Sequence, residues 1–215
     1  MAFKTLLELL PGSRRSLTEE PQPDISSGAP RERFYEWSQT VGETGSVLEV
    51  GTKQALEGES THSKDEFPLV LRENYLMVDI EDGADVDIVA DLHDLPADWT
   101  GRFDAFVAVA VFEHLERPWI AAKEVGRILK PGGRCYIATH QTFPLHGYPS
   151  DFFRFSREAL SLLFEDAGVR TLDVAYEHRT QIIAPRTIMP PRFARDWNKV
   201  WPSYLIVHLT GEKPG

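Results

Sequence analysis

From Ser46 onward, short apolar and β-branched runs alternate with stretches whose apolar residues recur every three or four positions. The runs are VLEV, YLMVDI, VDIVADL, FDAFVAVAVF, RCYIATH, TLDVAYEH and SYLIVHL. Several are almost wholly apolar, as expected of strands in a parallel sheet with helices on both faces, where neither face meets water. Between the fourth and fifth runs, Trp119, Ala122, Val125 and Leu129 share one helical face, which predicts a helix over 119–129 ended by Pro131-Gly132-Gly133. A second helix is predicted over 156–164, with Glu158 near its start. Phe34, Trp37 and Val41 predict another over 31–40, closed by Gly42 and Gly45. The last two runs are expected to pair antiparallel around a Pro-rich excursion over 180–202. The sum is an α/β three-layer sandwich: a seven-stranded, mostly parallel sheet with a C-terminal antiparallel hairpin.

Composition narrows the picture. A chain of 215 residues suits one core. Residues 11–30 hold four prolines, two glycines and several serines, which predicts an irregular arm over 1–30 ahead of a single domain over 31–215. The 23 basic residues against 33 acidic ones give a net charge of −10, with no basic run, which argues against nucleic acid as a partner. The longest apolar run, 105–112, is far short of the roughly 20 residues a membrane span needs. The start, MAFKTLLELLPG, carries a glutamate in its apolar stretch and has no small-residue cleavage pattern, so neither secretion nor a membrane association is expected. The single cysteine, Cys135, permits no intrachain disulfide, and the chain reads as cytoplasmic.

In an open α/β sheet, ligands bind outside the carboxyl ends of the strands. The residues there are unusually polar: Glu49 and Gly51 after the first run, Asp79 and Asp91 at the ends of the next two, Glu113 and His114 after the fourth, His140 after the fifth. Any one of them has a bland role as a turn or cap. Five strand ends agreeing is a stronger signal.

In type and order these residues resemble the class I S-adenosylmethionine-dependent methyltransferases, in their type 11-like form, over residues 46–169. VLEVG resembles the first motif of that family, ADLHDLP the third, and FDAFVAVAVFEHLERPWIAAKEVGRILKPGG the fourth strand and following helix. The resemblance implies a Rossmann-like fold and S-adenosyl-L-methionine as cofactor. It places Glu49 near the methionine part, Gly51 where backbone approaches closely, Asp79 on the ribose hydroxyls, Asp91 and the Leu92 N–H at adenine, and Ala108 in the strand beside the cofactor. The chain departs from the family after Gly51, where TKQALEGESTHSKDEF replaces a glycine-rich loop. No G-x-G-x-x-G follows the first run, and Asp79 lies 28 positions after Gly51 instead of roughly 20, which argues against a nicotinamide dehydrogenase.

The segment HQTFPLHGYPSDFFRFS is similar to an H-x-x-P-x-D-x-x-R-F pattern of small-molecule methyltransferases, matched by His146, Pro149, Asp151, Arg154 and Phe155. It also resembles the loop of the sugar 1-O-methyltransferases of methylmannose polysaccharide synthesis. A hydroxyl is a weak nucleophile until a base near neutrality takes its proton, so His146 is the expected catalytic base, with His140 second. Asp151 and Arg154 read as a local ion pair, and Phe152, Phe153 and Phe155 as core. Some metal-dependent O-methyltransferases carry E-x-x-E-H here, which makes Glu113 and His114 candidate ligands for Mg2+, although Ala110 replaces the first acid. Trp197, Trp201 and Tyr204, with Arg192, Arg195 and Lys199, suit an acceptor lid or a homodimer interface equally. The expected reaction is O-methylation of a small polar acceptor, a sugar or oligosaccharide. The alternatives are N-methylation of a small molecule and a binding module without turnover.

Overall fold

The computed structural model describes residues 25–147, 150–183, 185–187 and 191–215. The arm up to residue 24 and Pro149 lie outside the described residues. The elements, in chain order, are α1 (Ala29–Ser38), β1 (Val47–Val50), β2 (Tyr75–Asp79), β3 (Ile88–Val89), β4 (Phe103–Val109), α2 (Pro118–Ile128), β5 (Leu129–His140), α3 (Arg157–Glu165), β6 (Arg170–Thr180), α4 (Pro191–Val200) and β7 (Ser203–Glu212). The strands form one sheet in the order β3-β2-β1-β4-β5-β7-β6. The five N-terminal strands in that row pair in parallel, and β7 pairs antiparallel with both β5 and β6. This is the Rossmann-like architecture with a C-terminal antiparallel hairpin that the apolar runs predict.

The two faces of the sheet are covered differently. One carries α2 and α3 over a core that includes Leu48, Phe106, Phe112, Val125, Ile137 and Phe164. Burial of several such side chains, at roughly 1.5–3 kcal/mol each, is what fixes the helices to the sheet. The helices approach closely: a Cβ on Gly126 of α2 would stand 2.2 Å from the Ala167 carbonyl oxygen just past α3. The other face carries α1, with Phe34 stacked 5.5 Å from Tyr136 of β5. Beside α1, Phe67 and Val70 are buried against Tyr75 and Met77, where a helix between β1 and β2 would sit.

Four expectations are corrected. Among the described residues no α-helix joins β1 to β2; residues 52–74 run irregularly through 3₁₀ turns at Lys64–Glu66 and Arg72–Asn74. That stretch is too polar to present a continuous apolar stripe, and Phe67 and Val70 fill the space instead. The third strand shrinks from the seven residues of VDIVADL to Ile88–Val89, both exposed at the sheet edge. Trp119, assigned to the buried face of its helix, is 51% exposed. The buried stripe of α2 runs through Pro118, Ala121, Ala122, Val125 and Ile128, and Trp119 sits at its border, edge-on to Phe153 at 6.5 Å. Helix α1 starts two residues earlier than the pattern suggests, because Pro30 is pre-organised for a first helical turn.

Candidate active site

Parallel pairing brings the carboxyl ends of β1, β2 and β4 side by side. Gly51 follows β1 with φ of 75°, and its N–H donates to the Val78 carbonyl at 2.9 Å. A Cβ there would stand 2.4 Å from Val111 Cγ2, so both the turn and the contact require glycine. Asp79 ends β2, and its two oxygens accept from the Lys53 and Glu81 N–H groups, both at 3.1 Å. One backbone bond per oxygen leaves each a second lone pair, the acceptor set a diol needs. Asp91 opens the turn after β3. Burial pushes its carboxyl up, but the N–H and imidazole of His93, at 2.9 and 2.7 Å from Oδ1, outweigh this and hold it below the ordinary value. His93, assigned no chemistry from the sequence, also accepts from the Arg117 N–H at 3.3 Å and so ties this turn to the segment after β4. Leu92 is buried next to Asp91, and Ala108 is fully buried in β4.

Glu49, which the resemblance places near the methionine part of the cofactor, has its carboxylate bonded within the chain. Its side chain is directed at Tyr75 and Ser63 and is 3% exposed. The Ser63 N–H reaches both carboxylate oxygens, Ser63 Oγ donates to Oε1 at 2.9 Å and the Tyr75 hydroxyl donates to Oε2. Burial pushes this carboxyl up, against the pull of those donors. With its acceptors engaged inside the chain, Glu49 anchors the irregular 52–74 segment to the sheet. The signal that could have revealed it is the strand pleat, which turns Glu49 to the face opposite Leu48 and Val50.

The chemistry-bearing groups converge at the end of β4 and β5. Glu113 lies in a 3₁₀ turn, Phe112–His114, and its side chain is fully buried. Thr139 Oγ1 donates to Oε2 at 2.7 Å. Three imidazole Nε2 atoms face the other oxygen, Oε1: His140 at 3.1 Å, His114 at 3.9 Å and His146 at 4.0 Å. The His140 contact is close but misaligned, and Oε1 is left buried with no hydrogen-bond donor, as is His140 Nδ1. Burial pushes the Glu113 carboxyl up, and His140 and Thr139 more than offset it, so the group is held below its ordinary value. The backbone carbonyl of Glu113 accepts from the Phe152 and Phe153 N–H groups at 2.8 and 3.2 Å, which seats the 141–156 loop over the same end. Sequence reasoning selected Glu113, His114, His140 and His146 separately; the structure brings them together and adds Thr139.

His146 is half-buried on that loop. Its N–H donates to Asp151 Oδ2 at 2.9 Å, and its Nδ1 lies 3.2 Å from the Pro144 carbonyl and 3.3 Å from the same Asp151 oxygen. Those acceptors assign the ring proton to Nδ1 and leave a lone pair on Nε2. Asp151 is ion-paired to Arg154, as the i,i+3 spacing suggests, and the guanidinium holds its carboxyl well below the carboxylate range. Phe143 stacks on His140 at 4.1 Å. Phe155 is buried as expected, whereas Phe152 is 48% exposed.

Magnesium does not fit here. One carboxylate surrounded by imidazoles is nitrogen-rich, and Mg2+ prefers an octahedron of oxygens. The position where another glutamate would add oxygen is Ala110, in a left-handed turn with φ of 54°.

One residue past His140, a groove of about 310 Å³ is lined by Ile25, Gln141, Tyr176, Val200, Trp201 and Tyr204. Tyr176 and Tyr204 stack at 4.9 Å, and Gln141 Oε1 accepts from the Tyr204 N–H at 2.8 Å. Tyr204 is buried, while Trp197 and Trp201 are partly exposed and lie edge-on at 6.0 Å.

Residues 69–137 match the model of the methyltransferase domain family. That span runs from just before β2 to within β5 and leaves out the atypical 52–66 segment. A ubiquinone biosynthesis O-methyltransferase of Xanthomonas oryzae pv. oryzae (strain PXO99A) is 35% identical over 66 residues, 30% of this chain and 28% of that protein. The homologous enzyme of Xanthomonas axonopodis pv. citri (strain 306) is 33% identical over 107 residues, 49% of this chain and 40% of that protein. The matches thus span less than half the length of these curated relatives. Among solved structures, the Burkholderia thailandensis 1,6-didemethyltoxoflavin-N1-methyltransferase, with S-adenosylhomocysteine bound, superposes with a TM-score of 0.56 at 14% identity, over 100% of this chain and 88% of that one. At that identity, the fold is what the two share.

Proposed function

We propose that this chain is an S-adenosyl-L-methionine-dependent O-methyltransferase with His146 as general base. The observation that carries the proposal is the orientation of His146: with Nδ1 held by the Pro144 carbonyl and Asp151, its Nε2 lone pair turns toward the buried end of β4 and β5. The methyltransferase fold and the family match over residues 69–137 support the reaction class.

In this reading Asp79 holds the ribose hydroxyls of the cofactor, Asp91 and Leu92 its adenine, and the backbone at Gly51 and the strand at Ala108 lie alongside it. When bound, the cofactor supplies a methyl group on a sulfonium sulfur. His146 Nε2 takes the proton of the acceptor hydroxyl as its oxygen bonds to that carbon and the carbon–sulfur bond breaks. His140 is the alternative base. Asp151 keeps the His146 ring in the productive tautomer, and Arg154 keeps Asp151 ionised. A positioned base contributes on the order of 10²- to 10⁴-fold to such a step.

The acceptor in this proposal is a saccharide hydroxyl, for which the aromatic rings and the Gln141 amide in the groove are suitable partners. A second reading, a hydroxyl on an aromatic ring, draws on the apolar side of the same groove, at Ile25, Val200 and Trp201, and on the names of the curated relatives. Mass spectrometry of sugar and phenol acceptor panels incubated with methyl-labelled cofactor tests both. Label on a sugar oxygen supports the first and label on a phenolic oxygen the second. Label on nitrogen alone overturns O-methylation, and cofactor binding without any transfer indicates a binding module.

A further inference from the structure

We infer that Glu113, His114 and His146 form a binding site for a divalent transition ion of zinc's chemical class. One ligand atom from each of the three lies within 4.8 Å of the others. Glu113 Oε1 is buried without an aligned donor, since His140 Nε2 at 3.1 Å is misdirected, and it faces His114 Nε2 at 3.9 Å and His146 Nε2 at 4.0 Å. A fully buried carboxylate oxygen with no donor is costly unless a cation meets it.

The outer partners of the two histidines point the same way. His114 Nδ1 lies 2.8 Å from the Ser150 carbonyl, and His146 Nδ1 lies 3.2 Å from the Pro144 carbonyl. Each ring therefore donates through Nδ1 and presents an Nε2 lone pair to the carboxylate, the arrangement that orients metal-binding imidazoles. Three lone pairs meeting at one point repel unless a cation or a proton sits among them. Two imidazoles and one carboxylate, with a further position open, match a zinc-type ion, whose ligands lie about 2.0–2.2 Å from the metal. Binding draws the three groups inward, chiefly through the ring of His146 on its loop.

The ion would use the same His146 lone pair that the methyl-transfer reading assigns to the acceptor proton. Occupancy and base catalysis then exclude each other at that atom. This consequence rests on the proposed function; ion binding itself does not.

The test uses the full chain without a histidine tag, stripped with chelator and titrated with Co2+ under visible absorption and with Zn2+ by calorimetry. One equivalent of Co2+ should give ligand-field bands, Zn2+ should displace it, and millimolar Mg2+ should not. His114→Ala and His146→Ala should each weaken Zn2+ binding at least tenfold, whereas His62→Ala, in the 52–66 segment, should bind as wild type. Circular dichroism checks that each variant is folded, with His114→Gln as the substitute if alanine is not tolerated. Absence of stoichiometric Co2+ bands overturns the site, and so does unchanged Zn2+ affinity in folded His114 and His146 variants. Either result would leave a protonated imidazole as the group that meets Glu113. Failure of methyl transfer with ion binding intact would count against the proposed function alone.

Discussion

The backbone N–H and the imidazole Nδ1 of His146 face the same oxygen, Oδ2 of Asp151, at 2.9 and 3.3 Å. One carboxylate thereby sets both the loop conformation and the ring tautomer of the proposed base. His146→Ala should lower kcat by about 10²- to 10⁴-fold while affinity for S-adenosylhomocysteine stays near wild type. Asp151→Asn should lower kcat less, with the same unchanged cofactor affinity. Steady-state kinetics and calorimetry measure both. A rise confined to the acceptor KM would assign His146 to binding, and loss of turnover in His140→Ala alone would move the base to His140.

At the cofactor end, Asp79→Ala removes an ionised acceptor, worth about 1.5–3 kcal/mol per hydrogen bond. Affinity for S-adenosylhomocysteine should fall by about one to two orders of magnitude in a protein that still folds. Unchanged affinity would take Asp79 out of the site. Gly51→Ala differs, because a positive φ and a clash with Val111 oppose it in the empty protein too. It should cost more than about 1 kcal/mol of stability, read as a lowered midpoint in urea.

Acid should act through His208 before it acts through Glu113. His208 is fully buried; its Nε2 donates to the Ser27 carbonyl at 2.7 Å, and the Tyr136 hydroxyl lies 3.3 Å from Nδ1. Burial holds its pKa below 6.5, only partly offset by the Ser27 carbonyl. Between that folded value and about 6.5 the unfolded chain binds more protons, so the stabilisation is complete above pH 6.5 and is lost as pH falls through the folded value. The Glu113 carboxyl, depressed from 4.5, adds a second loss only below that pH. Melting temperatures should decline from about pH 6.5 downward, and His208→Gln should flatten that upper limb while leaving the lower one. An unchanged upper limb in a folded variant would refute the assignment.

Chelation should leave methyl transfer intact. Proton abstraction by an imidazole needs no metal, and the Glu113 cluster is poorly suited to magnesium. Full activity in EDTA, unchanged by added Mg2+, is the expected result. Abolition by EDTA with recovery in Mg2+ would return the oxygen-binding role to a metal.

The sequence by itself determined the sheet and its polar edge. Central parallel strands are buried on both faces, so VLEV, YLMVD and FDAFVAV stand out as apolar runs, and the residues that end them mark where a ligand meets the sheet. The i,i+3 spacing was likewise enough to pair Asp151 with Arg154. Tertiary structure decided what the ends of those runs do. The strand pleat turned Glu49 toward Ser63 and Tyr75, and packing let Phe67 and Val70 cover the sheet beside α1, where the polar 52–74 stretch forms no α-helix among the described residues. It also gathered Glu113, His114, Thr139, His140 and His146 around one carboxylate. Local pattern records which face of an element is apolar. Which polar groups meet depends on strand register and on how a loop crosses the sheet edge, and both follow from contacts between residues far apart in the chain.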